Sequence, residues 1–458
     1  MIHAYTLNDC NIVVDAASGS VHSVDETAFE AIKSIDEKMT SGEDFEAAVT
    51  ESGIDDELAA EIRELKEAGM LWSTDIFEDA ADEIKQKQSV LKAVCLHVAH
   101  GCNMDCEYCF AGKGDYSGKS GMMSAEVGKK ALDFLVENSG TRKNLEVDFF
   151  GGEPLINWEV CKEVVAYGRE LEKTHNKVFN FTLTTNGVLL DEEVAEFLNK
   201  EMGNVVLSLD GRRETHDRMR RTKTGEGTYD NIIDNFKALV DARTKPGADV
   251  KSDEYYMRGT YTAYNKDFAA DVLTMADMGF KETSIEPVVS SPDAPYALHD
   301  DDIPLLCEEY EKLALEMLDR YKRGEGFTFY HYMVDLTGGP CIYKRVAGCG
   351  VCTEYLAVTP TGDLYPCHQF VGDDDMLVGN IYEGITHPEV AEIFTKGNNV
   401  YTRDKCKGCW ARLYCSGGCA ANNYHTNGDI NKVYEFGCEL HRKRIECALM
   451  LEVAKSEQ

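Results

Sequence analysis

Three cysteines, Cys102, Cys106 and Cys109, lie in HGCNMDCEYCFAG with the spacing C-x3-C-x2-C. Thiolates this close can grip one metal centre, and soft sulfur ligands select zinc, copper(I) or iron–sulfur clusters. A structural zinc takes four protein ligands, and His100 is the nearby candidate for the fourth. A [4Fe–4S] cluster held by three cysteines instead leaves one iron without a protein ligand, open to a small molecule. A second group lies in CKGCWARLYCSGGC, where Cys406, Cys409, Cys415 and Cys419 follow C-x2-C-x5-C-x3-C and Cys438 comes eighteen residues later. Upstream, CGVCTEYLAVTPTGDLYPC carries Cys349, Cys352 and Cys367, with Cys341 just before it. Paired knots of this kind suit zinc or iron–sulfur clusters. Cys10, Cys95, Cys161, Cys307 and Cys447 stand singly in apolar or helical contexts and read as buried structural thiols.

Composition narrows the use of these thiols. The 458-residue chain has 17 cysteines, and its opening MIHAYTLNDC has no basic flank followed by an apolar stretch, so no secretory signal is expected. Metal or catalytic use is favoured over a disulfide framework. A net charge of −34 repels phosphate backbones, so no nucleic-acid partner is expected. No run of about 18 apolar residues exists, so no membrane span is expected. The expected location is cytoplasmic.

The elements that must position the cysteines fall into five stretches. Residues 1–76 form a small unit: NIVVD and SVHSV flank Ala16–Gly19 as a hairpin, three helices follow, and MLW is read as a last short strand. Residues 77–89 are read as a linker. From 90 to 330 short apolar strands alternate with amphipathic helices, the pattern of a parallel sheet. The strands are expected at Leu91–Val98, Leu145–Phe150, Phe179–Thr184, Val205–Leu209, Tyr256–Thr262 and Thr283–Val288, with Ser124 capping one helix. About six such units make a partial (β/α)6 barrel, with active residues at strand C-terminal ends. Periodicity fades in the Cys-rich stretch 331–448, which should depend on metal, and 449–458 is read as a tail. GDYSGKS (Gly114–Ser120) imitates a P-loop but has one residue too few, and is read as a mobile loop.

C-x3-C-x2-C with Tyr108 before its third cysteine resembles the signature of radical S-adenosylmethionine (SAM) enzymes. In that family the open iron chelates the cofactor's methionine, and one electron cleaves it to a 5′-deoxyadenosyl radical that abstracts hydrogen. The resemblance continues in FFGGEP, TTNG, SLDG, HDRMRR and GTYDN. It implies cofactor contacts from Tyr108, Gly151, Gly152, Glu153, Pro154, Asn186, Ser208 and Arg220. The later cysteines resemble the SPASM extension, which holds two auxiliary [4Fe–4S] clusters, making three in all with SAM as cofactor. Carried over, Cys406, Cys409, Cys415 and Cys438 hold the distal cluster, and Cys349, Cys367 and Cys419 hold the nearer one. Its fourth ligand is left open between Cys352, Cys341 and none. The first unit resembles the winged-helix peptide-recognition element to which a leader peptide adds as a strand.

The whole most resembles maturases of six-cysteines-in-forty-five (SCIFF) peptides. That implies an oxidoreductase forming intrapeptide thioethers, from a Cys sulfur to a backbone carbon, in a small Cys-rich precursor. An electron donor such as flavodoxin or ferredoxin is implied, and no catalytic acid or base is assigned. Two alternatives stand beside it: a maturase of another protein, of sulfatase or amine-dehydrogenase type, and a non-enzymatic iron–sulfur electron carrier or zinc-stabilised binding protein.

Overall fold

The computed structural model describes residues 1–81, 83, 90–336 and 342–456. Most of the 77–89 linker and Cys341 therefore lie outside the described residues. The chain opens with an antiparallel sheet of β1 (Ile2–Leu7), β2 (Cys10–Asp15) and β3 (Val21–Val24) in that order. β1 was not expected. Asn8 and Asp9, with φ of 51° and 58°, form the two-residue turn that pairs Leu7 with Cys10; two left-handed residues match the twist of a tight hairpin. Three helices follow, α1 (Glu26–Thr40), α2 (Phe45–Glu51) and α3 (Asp56–Glu67), and the Asp25, Asp44 and Asp55 side chains accept first-turn N–H groups as N-caps. Val13, Phe29, Ile32, Ile35, Val49, Ile62 and Leu71 give this unit a core of its own. MLW is not a strand. Leu71 plugs that core, Trp72 turns left-handed at φ 46°, and its Nε1 donates to Asp36 at 2.8 Å.

The main sheet carries six parallel strands in sequence order: β4 (Ala93–His100), β6 (Asn144–Gly151), β7 (Val178–Thr185), β8 (Asn204–Ser208), β9 (Tyr255–Tyr261) and β10 (Glu282–Pro287). β5 (Gly121–Met122) is a short antiparallel partner of β4. The connecting helices are α4 (Ala125–Asn138), α5 (Trp158–His175), α6 (Glu192–Glu201), α7 (Arg213–Met219), α8 (Tyr229–Thr244), α9 (Phe268–Asp277) and α10 (Ile303–Lys322). Burial alternates along β6: Leu145, Val147 and Phe149 are fully covered, while Asp148 and Phe150 face the barrel interior. The barrel does not close. β10 pairs onward with β11 (Thr328–Phe329). At the other edge β4 pairs in parallel with β12 (Tyr355–Val358), and β13 (Asp363–Tyr365), β14 (Gly379–Asn380) and β15 (Gly384–Ile385) extend the same sheet.

Around these strands the Cys-rich region adds α11 (Ile342–Ala347), α12 (Pro388–Gly397), α13 (Asp404–Lys407), α14 (Arg412–Cys415), α15 (Ala420–Asn427) and α16 (Glu435–Ser456). The expected tail at 449–458 is corrected, because α16 runs unbroken to Ser456 with Leu449, Met450, Leu451 and Val453 buried. A helix covered on most sides has no single apolar stripe, which is why its periodicity fades.

The first unit sits on this region. The His3 ring stacks on Trp410 at 3.9 Å, Tyr5 Oη donates to Glu446 O at 2.9 Å, and Asp75 pairs with Arg412 at 2.6 Å. Among the described residues no helix is long and apolar enough to cross a membrane.

Candidate functional site

Cys102, Cys106 and Cys109 follow β4 directly, on a loop strapped from two sides. Asp105 N donates to Arg221 O (2.8 Å) and Glu107 N to Met219 O (3.0 Å), so the HDRMRR segment holds the loop's outer half. On its inner side Gly152 N donates to Ala99 O (2.8 Å) and Glu153 N to Gly101 O (3.0 Å). The approach needs glycine: a Cβ at Gly152 would stand 2.1 Å from Gly101 O, and one at Gly151 2.3 Å from Ala99 O.

The three thiols lie near enough to act on one another electrostatically. Burial, with the neighbouring thiols adding to it, pushes Cys102 up to about 11 and Cys106 up to about 12. Buried thiols of this kind ionise readily only beside a metal, whose charge replaces the lost water. Asn186 Nδ2 donates to Asn103 Oδ1 at 2.8 Å and approaches Cys102 Sγ at 3.7 Å, while Asn103 Nδ2 is buried without a partner. A donor set of soft thiols, an orphan amide donor and a glycine-lined wall fit an iron–sulfur cluster with a bound small molecule.

The remaining sequence-predicted contacts are placed as follows. Glu153 is buried, and its carboxylate accepts from Thr185 Oγ1 (2.8 Å), Leu155 N (3.0 Å) and Asn186 N (2.8 Å). It ties the end of β6 to the end of β7, and Pro154 opens the turn beyond it. Burial raises it to about 7 against those bonds. Ser208 ends β8 facing the interior, in register with Arg258. Arg220 Nε donates to Asp210 Oδ1 at 3.1 Å and its guanidinium lies over the Tyr108 ring at 5.4 Å. Tyr108 Oη donates to the other Asp210 oxygen at 2.6 Å, and Thr260 N also bonds Asp210. Burial opposes charge on Arg220, but Asp210, Tyr108 and Cys106 outweigh it and hold its pKa above the ordinary value. Asp210 thus organises both predicted residues. It stands inside SLDG, where it reads as a turn residue.

His100 is no zinc ligand: Nδ1 bonds Lys119 O at 2.6 Å and Nε2 meets His97 Nδ1 at 3.2 Å. The loop at Gly114–Ser120 is pinned rather than loose. Its Tyr116 is buried, stacks on His100 and donates to Gly151 O at 2.9 Å.

The later cysteines gather in two sets. Cys406, Cys409, Cys415 and Cys438 act on one another, and so do Cys349, Cys367 and Cys419. Burial pushes Cys352 up to about 12 with no contribution from any other thiol. Its backbone is left-handed (φ 61°), and its N–H bonds Tyr355 O and Pro366 O. Among the described residues Cys349, Cys367 and Cys419 act on one another and Cys352 acts on none of them. No three His, Cys, Asp or Glu side chains among the described residues could hold a single metal ion.

Sequence reasoning missed the far wall of the barrel. Glu286 pairs with His331 Nε2 at 3.1 Å and faces Arg444 at 3.8 Å, and Arg444 Nε donates to Tyr310 Oη at 2.8 Å. Burial would raise Glu286, but His331, Arg444 and Arg258 hold it well below the carboxylate range. These residues come from distant stretches, so no local spacing announces them.

Burial pushes His216 down to about 4 from an ordinary 6.5. The unfolded chain then binds more protons as pH falls from about 6.5 to about 4, so stability is lost across that window, by about 3 kcal/mol from this group. The difference in thermal unfolding between His216→Asn and the parent should be constant above pH 7 and shift toward the variant on acidification. An unchanged difference would contradict this.

Residues 96–277 match the model of the Radical SAM superfamily. Among similar proteins, the radical SAM cyclopropyl synthase TigE of Paramaledivibacter caminithermalis is 22% identical over 77% of this chain and 72% of its own. The serine-type anaerobic sulfatase-maturating enzyme of Bacteroides thetaiotaomicron is 24% identical over 74% of this chain and 84% of its own. Among solved structures, native anSMEcpe with bound AdoMet and Cp18Cys peptide superposes with a TM-score of 0.64 at 22% identity, covering 80% of this chain and 99% of that one. SuiB of Streptococcus suis bound to precursor peptide SuiA gives 0.52 at 15%, covering 94% and 97%. The chain carries the α/β radical SAM fold.

Proposed function

We propose that this radical SAM protein is a peptide maturase that joins a Cys sulfur to a backbone carbon within a leader-bearing, Cys-rich peptide. The thioether reading is supported by Cys349, Cys367 and Cys419 acting on one another while Cys352 acts on none of them, with Cys341 outside the described residues. A metal centre held there by three protein thiolates keeps a place for a fourth sulfur, and the peptide's own thiolate has the right chemistry. Residues 1–76 are then the leader-recognition unit, 90–330 the barrel and 331–448 the SPASM region.

In this reading Cys102, Cys106 and Cys109 hold the first [4Fe–4S] cluster, and Cys406, Cys409, Cys415 and Cys438 the distal one. Bound together, the first cluster and S-adenosylmethionine supply the radical that removes a hydrogen atom from the peptide. The chain's residues position that chemistry. Gly151 and Gly152 let the β6 end approach the cysteine loop, and Glu153 fixes Asn186 beside Cys102. Asp210 fixes Tyr108 and Arg220, and Ser208 ends the neighbouring strand β8. The loop at Tyr116 ties down the Gly151 end of β6. In the peptide, an S–H and a C–H bond would give way to one C–S bond: the carbon's hydrogen atom would leave to the 5′-deoxyadenosyl group, the thiol's proton to solvent and the remaining electron to an auxiliary cluster, while a low-potential one-electron donor such as flavodoxin or ferredoxin would supply the electron that cleaves S-adenosylmethionine.

A maturase of a protein substrate is the second reading, favoured by the likeness to the sulfatase-maturating enzyme. The test is anaerobic incubation with a Cys-rich peptide carrying its leader, followed by mass spectrometry. Thioether formation is expected to remove one pair of hydrogen atoms per crosslink and protect the joined thiol from alkylation. An unchanged peptide mass alongside 5′-deoxyadenosine would sink the crosslinking claim.

A further inference from the structure

Arg403 lies where the two later thiol sets meet. It is 1% exposed, and its donors go to neutral oxygens: Nε to Ile430 O (3.1 Å), Nη1 to Gly417 O (3.0 Å) and Nη2 to Asn398 Oδ1 (2.6 Å). Gly417 is the middle of the turn from Cys415, in the distal set, to Cys419, in the nearer one. A Cβ there would stand 2.1 Å from Nη1, so the guanidinium is pressed against that turn. Cys406 N donates to Arg403 O at 2.9 Å, which ties the residue's backbone to the distal set as well. The anionic groups that act on it are Cys406, Cys415, Cys438 and Cys419, and it acts on Cys349. A buried cation is costly without a nearby counter-charge. Here burial holds Arg403 below its ordinary value, and the groups nearby that can carry compensating charge are the cysteines of both sets.

We propose that Arg403 is the shared counter-ion of the two auxiliary clusters and sets the reduction potential of both. This rests on the reading that the seven cysteines hold [4Fe–4S] clusters. A cluster ligated by thiolates is net anionic and gains one further negative charge on taking an electron. A fixed cation beside it favours the reduced state and raises the potential. One cation bonded to the turn that joins the two sets moves both potentials together. Arg403 is a positioning and tuning residue, and it touches no substrate.

The test uses the full chain with Cys102, Cys106 and Cys109 replaced by alanine, so that only the auxiliary clusters titrate. The protein is reconstituted anaerobically with iron and sulfide and titrated with dithionite under electron paramagnetic resonance. Arg403→Gln is expected to lower both midpoint potentials and Arg403→Lys to restore most of the shift. Asn398→Asp sets a carboxylate against Nη2, at the sacrifice of the Asn398 bond to Ala347 O. It neutralises the cation without removing it, and is expected to lower both potentials too, so it decides the matter if Arg403→Gln loses iron. Unmoved potentials in iron-replete Asn398→Asp, or a shift confined to one cluster in every variant, would overturn the proposal. A parent that binds no iron overturns the cluster assignment itself, and iron analysis tells the two failures apart.

Discussion

Alanine at Cys367 or Cys419 is expected to abolish conversion of a Cys-rich peptide while reductive cleavage of S-adenosylmethionine continues. Alanine at Cys352 is expected to leave both intact. The contrast follows from geometry. Cys367 responds to Cys349 and Cys419, so these thiols share one place. Cys352 sits three residues after Cys349, a spacing that suits a shared metal, but its backbone is left-handed and no other thiol acts on it. Losing a member of the threesome removes a ligand and the centre with it. The cysteine loop after β4 keeps its own three thiols and is untouched. Parallel assays of 5′-deoxyadenosine and of peptide mass separate the two activities. Loss of iron and of conversion in Cys352→Ala would mean full ligation by the protein, and the substrate thiolate would have no iron to reach.

Gly152→Ala is expected to cost about 3 kcal/mol or more of stability and to end S-adenosylmethionine cleavage. The added Cβ would meet Gly101 O at 2.1 Å and Gly101 C at 2.4 Å, both backbone atoms with no rotamer to escape into. Relief requires β6 and the cysteine loop to part. That breaks the bonds from Gly152 N to Ala99 O and from Glu153 N to Gly101 O, and it displaces Cys102, the next residue. Displacement of a ligand on this scale is enough to lose a cluster or its activity. Thermal unfolding and iron content read the two effects separately. A variant with parental melting temperature and full cleavage would refute the close-packing argument for this glycine pair.

The strands of the barrel were legible because each is a short apolar run between helix patterns, and their ends fell within a few residues. β1 was not, since its residues are half-exposed on both faces and its register comes from a turn at Asn8 and Asp9. The grouping of the later cysteines came from the resemblance to the SPASM extension, because spacing alone does not say which of thiols tens of residues apart meet. Cys352 shows the limit of spacing, which cannot report a backbone handedness. Arg403 and Asp210 were illegible for a different reason. Charged residues are ordinarily solvated, and only the tertiary structure shows these two buried with their partners.

The pairing of β12 with β4 has a consequence for how the molecule must be made. The barrel and the Cys-rich region differ in composition, yet one hydrogen-bonded ladder runs through both. A chain cut near residue 330 would strip β12 from Ala93–Leu96 of β4, the strand that leads into the cysteine loop, and leave those four residues as a naked edge. Unpaired edges invite association with other chains. The two regions are therefore one folding unit, and neither is a detachable module.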